Sequence, residues 1–297
     1  MRRTRTGKRI ELTARDIEIF KLLEQYRYLR STFIHAFVGG ASETRFKERL
    51  GHLYHEGGYL DRPSQQWEFA DARHRPVVYE IGAGAARTLR EAGVTVGDAR
   101  TFLAATAHRQ FLHSLMVCEA LASLDLGVRA DPRLRLIAWP EILGRAPETT
   151  RSSPRPFRVP VPSGGYLVPD GLFGIEYAGS GKKAYRFFAL EADRGTMPVV
   201  RSNPQQTSYL RKMTAYREVI AHQVHKTHWG LPNLFVLTIT TSETRMADII
   251  GRLEGQAGNN AAFLFKTIDT FGLMAPATHL LFNPWQRAGL PPLRIDV

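Results

Sequence analysis

The chain has 297 residues, enough for two ordinary domains that each bury a core, and its 43% hydrophobic and 23% charged content excludes a disordered polymer. A single cysteine, Cys118, excludes an internal disulfide and a multi-cysteine zinc site, and with no stretch read as bilayer-spanning and no secretory leader it predicts a cytoplasmic protein without a membrane partner. The net charge of +12 predicts a polyanionic partner, because such a surface attracts phosphates at long range and releases their counterions on binding.

Residues 1–9 carry Arg2, Arg3, Arg5, Lys8 and Arg9 with no acid among them, which reads as a flexible arm for a phosphate backbone. Thr13 and Asp16 form a capping-box signal for a first helix, with Ile17, Phe20, Leu23 and Tyr26 as its apolar face. Ser31 is read as the cap of a short helix that stops at Gly39. Ser42 is read as the cap of a third, in which Phe46, Leu50 and Leu53 face inward while Arg45, Lys47, Arg49 and His52 remain for the surface. Residues 67–70 and 76–81 read as two strands whose tip carries Asp71, Arg73, His74 and Arg75. Three short helices and a hairpin are the order of a winged helix-turn-helix, which places a helix in the major groove and a wing on the backbone. The same module also serves protein contacts. Gly82 and Gly84 do not make a dinucleotide loop, since Arg87 stands where its third glycine belongs. Residues 1–93 are therefore expected to form the first domain, closed by a helix over 85–92, with 94–105 as a connector.

The second domain is expected over 106–297. It opens with an amphipathic helix over 106–126, in which Glu119 is either a third acid of a site or a residue exposed on the far face. A strand follows at 134–139. Residues 144–164, with Arg145, Arg151, Arg155 and Arg158, read as a long basic loop, either a substrate flap or a disordered insertion. Residues 168–195 read as a hairpin whose two strands each carry a carboxylate at one end, Asp170 and Glu191. Converging acids are costly without a partner, so the pair calls for a divalent cation or a basic group. A helix over 205–225 puts Lys212 and Tyr216 one turn apart on one face. His222, His225 and His228 drift around that helix and read as its polar end rather than as metal ligands. Strands at 234–240 and 262–267 enclose a helix capped by Ser242, and the remainder, with Trp285, is expected to be irregular. The fold class expected is α/β, or α+β overall.

Three patterns together carry a resemblance: Leu12-Thr13-x-x-Asp16-Ile17; Gly57-Gly58-Tyr59-Leu60-Asp61-Arg62; and Pro169-Asp170 followed by Leu190-Glu191-Ala192-Asp193-Arg194-Gly195-Thr196. They are similar to the replication-relaxation family of plasmids and mobile elements, over residues 11–285. The second domain resembles the PD-(D/E)xK nuclease superfamily, a restriction-endonuclease-like mixed sheet flanked by helices. What the resemblance implies is a DNA-associated role in plasmid replication or relaxation, with double-stranded DNA and other replication or transfer proteins as partners. It further implies that Asp170 and Glu191 hold Mg²⁺ or Mn²⁺, with the Ala192 carbonyl as a third ligand. The superfamily's lysine belongs two residues after the Glu, where this chain has Asp193. Either Lys212 or Arg194 replaces that lysine, or Asp193 is itself a ligand, giving a DNA endonuclease or nickase with Asp170, Glu191, Asp193 and Lys212 as its catalytic set. Otherwise the domain is degenerate: Asp193 pairs with Arg194, Lys212 or Arg217, and the protein binds DNA without cutting it. A winged-helix transcriptional regulator is the further alternative.

Overall fold

A computed structural model describes residues 3–40, 42–68, 71–96, 108–179, 183–195, 209–268 and 273–297. The chain divides into two units, Met1–Leu126 with Gly272–Ala277, and Gly127–Phe271 with Thr278–Val297.

In the first unit, α1 (Ala14–Tyr26) starts at the expected reciprocal cap. The Thr13 N–H donates to Asp16 Oδ2 at 2.7 Å, and the Asp16 N–H donates to Thr13 Oγ1 at 3.3 Å. Its buried face runs through Asp16, Ile19, Phe20, Leu22, Leu23 and Tyr26, so Ile17 is only partly buried. Asp16 draws that face inward because Arg49 meets it there. After β1 (Leu29–Arg30) comes α2 (Ser31–Val38), which is not capped by Ser31 as expected: Ser31 is its first helical residue, and the cap position falls on Arg30, which makes no side-chain cap bond. The third helix, α3 (Glu43–His55), has the expected Ser42 cap, whose Oγ accepts the Arg45 N–H.

The hairpin differs from expectation. Its strands are β2 (Leu60–Asp61) and β3 (Val78–Ile81), in an antiparallel sheet of order β1-β3-β2. Ser64–Glu68 and Ala72–His74 are short 3₁₀ turns, so the strand expected over 67–70 is not formed at its described residues, 67 and 68; positions 69 and 70 lie outside them. The reason is local. The Gln66 amide donates to the Val78 carbonyl (3.0 Å) and accepts the Val78 N–H (2.8 Å), so a side chain takes the ladder positions a strand would fill. α4 (Ala83–Glu91) follows β3 in this unit. Gly82 is needed there for close approach: its N–H donates to the Tyr59 carbonyl at 2.8 Å, and a Cβ would lie 2.3 Å from the Gly58 oxygen.

The long helix α5 (His108–Arg129) is not amphipathic. Leu115, Met116, Val117, Cys118 and Ala120 are all buried in succession, which is every side of the cylinder. By length and composition Phe111–Arg129 would pass for a membrane span, against the sequence reading, yet 78% of its apolar window is buried inside the molecule, as in a core helix. Glu119 is not exposed on the far face. It is fully buried, ion-paired with Arg30 at 2.7 Å, and accepts the Leu273 N–H at 2.9 Å.

The second unit is a seven-stranded mixed sheet with helices. Its elements in order are β4 (Leu134–Ala138), α6 (Trp139–Arg145), α7 (Glu148–Arg151), β5 (Val159–Pro160), β6 (Tyr166–Leu167), β7 (Gly171–Ala178), β8 (Lys183–Asp193), α8 (Tyr209–Ala221), α9 (Val224–Trp229), β9 (Phe235–Thr240), α10 (Glu243–Glu254), β10 (Phe263–Thr267), α11 (His279–Phe282), β11 (Trp285–Arg287) and β12 (Leu290–Leu293). The sheet order is β12-β11-β10-β9-β8-β7-β4, with β8, β9 and β10 parallel and the other pairings antiparallel. Of the parallel strands, β9 is buried without a break from Val236 to Thr240 and β10 from Phe263 to Phe265, as strands covered on both faces are.

Three expectations are corrected here. Residues 144–164 are not a disordered insertion: they hold α7 and β5, and the Pro156 carbonyl accepts the Trp229 indole N–H at 3.1 Å. The helix expected to run to residue 225 ends at Ala221, and Gln223, at φ 55°, turns the chain into α9. The C-terminal remainder is not irregular but adds β11 and β12, and Trp285 is fully buried, its indole N–H donating to the Leu280 carbonyl.

Candidate functional site

The register of β7 against β8 pairs Gly171 with Leu190, which brings the residue before β7 beside the one after Leu190. Asp170 is fixed there by backbone: its Oδ2 accepts the Ala192 N–H at 3.0 Å. Glu191 lies opposite Thr238 of β9 and is 2% exposed. From α8, Lys212 places its Nζ between the two acids, ion-paired with Glu191 Oε2 and 3.4 Å from Asp170 Oδ1. One turn on, the Tyr216 hydroxyl donates to Glu191 Oε1 at 2.5 Å. The helical spacing of Lys212 and Tyr216 thus grips both oxygens of one carboxylate.

Burial, and then the neighbouring Asp170 charge, push the Glu191 carboxyl up to about 8 against the pull of Lys212 and Tyr216. Burial works against the Lys212 charge as well, but Asp170 and Glu191 outweigh it and raise the ammonium above its ordinary value. The cluster therefore holds one firm cation between two acids, and burial makes Glu191 the costlier of the two to ionise. Two carboxylates converging on a cation are a hard-oxygen donor set of the sort that Mg²⁺ uses when a substrate phosphate and waters complete its shell, so the residues fit the ion. Among the described residues no group of three or more His, Cys, Asp and Glu is placed to hold a metal alone.

Asp193 shares the face of β8 with Glu191, but it pairs with none of the cations expected for it. Its partner is Arg245 in the first turn of α10, at 2.7 Å and 3.2 Å, and the Gly195 N–H adds a third bond at 3.1 Å. Arg217 instead donates to the Leu253 carbonyl at the end of α10 and to Asn260 Oδ1 beyond it. Arg194 is half-buried with no hydrogen bond or ion pair among the described residues, and burial lowers its pKa. Sequence reasoning missed Arg245. The signal for it was topological: Asp193 and Thr240 end adjacent parallel strands, and Arg245 follows the second end, where ligand sites of α/β sheets gather.

The basic residues of the first unit divide into committed and free sets. Arg49 donates to Asp16 Oδ1 (3.0 Å) and Oδ2 (2.6 Å) and to the Glu11 carbonyl (2.7 Å), so it ties α3 to α1. Lys47 pairs with Glu43 and Arg75 with Asp71. Arg3 donates to the Tyr54 and Leu60 carbonyls and pairs with Asp61, while the Thr4 and Thr6 N–H groups bond His55 and Glu56. The arm read as flexible is thus pinned along the end of α3. Arg5, Lys8, Arg9, Arg45 and Arg73 are exposed, His52 is half-buried, and Arg2 lies outside the described residues.

No curated protein and no solved structure matches the chain. A family model, that of replication-relaxation, matches residues 20–234, from α1 to the threshold of β9, a span that includes α3, Asp170, Glu191 and Lys212. The chain belongs to the replication-relaxation family.

Proposed function

We propose that this protein serves the replication or relaxation of a plasmid or mobile element by binding double-stranded DNA through its first unit. The observation that carries this reading is connectivity: α1, β1, α2, α3, β2 and β3, with sheet order β1-β3-β2, is the path of a winged helix. In that path α3 is the groove-reading helix. Arg45 stands exposed in its first turn, and Arg73 stands exposed between β2 and β3. Fluorescence anisotropy with a labelled duplex tests it. Binding that weakens in Arg45→Ala supports the reading, and no binding at low salt overturns it.

Lys212 favours a second activity, metal-dependent nicking of the bound DNA. Bound by Asp170 and Glu191, Mg²⁺ or Mn²⁺ would supply Lewis-acid polarisation of a phosphate and a water of lowered pKa. The chain supplies the rest. Lys212 offers a cation for charge that builds on a phosphate oxygen, a role the residue after Ala192 cannot fill because it is Asp193 and is neutralised by Arg245. Tyr216 orients the Glu191 carboxylate. Supercoiled plasmid incubated with protein and Mn²⁺ is expected to become nicked, and to stay intact with Asp170→Ala and with Glu191→Ala. Plasmid left supercoiled by the wild-type protein sinks the enzymatic reading and leaves DNA binding standing.

A further inference from the structure

Within the second unit, the residues leading into Asp170 carry an exposed apolar surface. Tyr166 is 59% and Val168 47% exposed, two of the few large apolar side chains left open among the described residues. They alternate with buried Leu167 and Pro169, so both lie on the outer face of one extended segment. The Arg158 guanidinium sits over the Tyr166 ring at 3.9 Å from its centroid, and Arg155 is exposed three residues before it.

This surface is rigidly mounted. β5 and β6 pair through Val159–Leu167 and Pro160–Tyr166, and Val159 and Leu167 anchor the hairpin from beneath. At its tip, Ser163 donates to both Glu218 oxygens, at 2.8 Å and 3.0 Å, and Glu218 lies on α8, the helix of Lys212 and Tyr216. The hairpin is therefore joined to the acid–lysine cluster twice, by chain through Pro169–Asp170 and by hydrogen bonds through α8.

Resting on the DNA-binding reading, the geometry points to a platform for an unpaired nucleobase: Tyr166, backed by Arg158, stacks a base of a single-stranded or gapped segment and so presents its backbone to the cluster at Asp170, Glu191 and Lys212. An exposed aromatic face with an arginine over it and a second arginine alongside is how single strands are held without sequence readout. The positive flank matches a phosphate backbone and the overall charge of +12. A fully paired duplex offers no base face to such a ring, so the platform selects DNA that is already opened, as it is where replication starts or a strand is gapped.

The test is anisotropy with the full chain on two labelled DNAs of one sequence, a blunt duplex and the same duplex with a short central gap. The wild-type protein is expected to prefer the gapped DNA. Tyr166→Ala is expected to lose about tenfold on it, within the range for removing one stacking side chain. The same variant should keep its affinity for the blunt duplex, and Tyr166→Trp should retain the preference. Unchanged melting temperature in Tyr166→Ala, natural for so exposed a residue, excludes misfolding as the cause. Equal wild-type binding to both DNAs, or equal weakening of both by Tyr166→Ala, overturns the platform while the winged-helix reading survives. No binding to either DNA overturns both.

Discussion

At the scale of single residues the second unit is decided by how three acids share two cations. Asp170 and Glu191 take Lys212, and Asp193 takes Arg245. Removing one partner of such a group leaves the others buried without compensation. Lys212→Met is expected to cost about 3 kcal/mol at neutral pH, measured by urea unfolding. That loss should shrink on acidification. Without the ammonium, which now offsets part of the burial cost, Glu191 holds its proton still more tightly in the folded chain than in the unfolded one, so the variant's stability falls as the pH rises. A loss that is equal at acid and neutral pH would show that Lys212 acts through packing alone.

At the scale of elements, the same logic ties α1 to α3. Burial works against the Asp16 charge, but hydrogen bonds from Arg49 and Thr13 outweigh it and hold the carboxyl below its ordinary 3.8. A depressed carboxylate contributes its stability in full above the unfolded value, and the contribution disappears as the pH falls through the folded one. Arg49→Ala is thus expected to cost about 2 kcal/mol at neutral pH, allowing for the partial exposure of Arg49, and clearly less in acid once Asp16 is protonated. Urea midpoints at the two pH values measure it. The same elements show what was legible. Thr13, Asp16 and Ser42 announced two helix starts because a cap is satisfied within four residues of chain. The strand expected over 67–70 was misread at its described residues, 67 and 68, because the group that replaces it, the Gln66 amide on Val78, spans twelve residues and leaves no local pattern. β11 was missed for a related reason: Trp285–Arg287 is too short to show alternation and exists by pairing with β10.

At the scale of the whole molecule, the charge of +12 makes a prediction that no single contact does. If exposed Arg and Lys side chains neutralise phosphates, the logarithm of DNA affinity falls linearly with the logarithm of salt concentration. Each lost phosphate contact should then reduce the slope by about 0.9. Replacing exposed Arg9 and Arg45 by alanine is expected to flatten the slope by about two such steps, whereas Lys47, held by Glu43, should contribute less. A duplex affinity that is independent of salt would exclude a backbone-binding role for these residues.

The sequence by itself determined whatever is settled within a few residues: the caps of α1 and α3, the hairpin of β7 and β8, and with it the approach of Asp170 to Glu191. It also carried the family patterns and the excess of positive charge. Tertiary structure alone decided which cation answers which acid. Lys212 was one of three cation or ligand solutions on paper, and Arg245 was none of them. Their assignment depends on how α8 and α10 lie along the sheet, and on parallel strands ending side by side at Asp193 and Thr240. A buried charge is stable only beside its partner, and partners from distant segments become neighbours only when the sheet has formed.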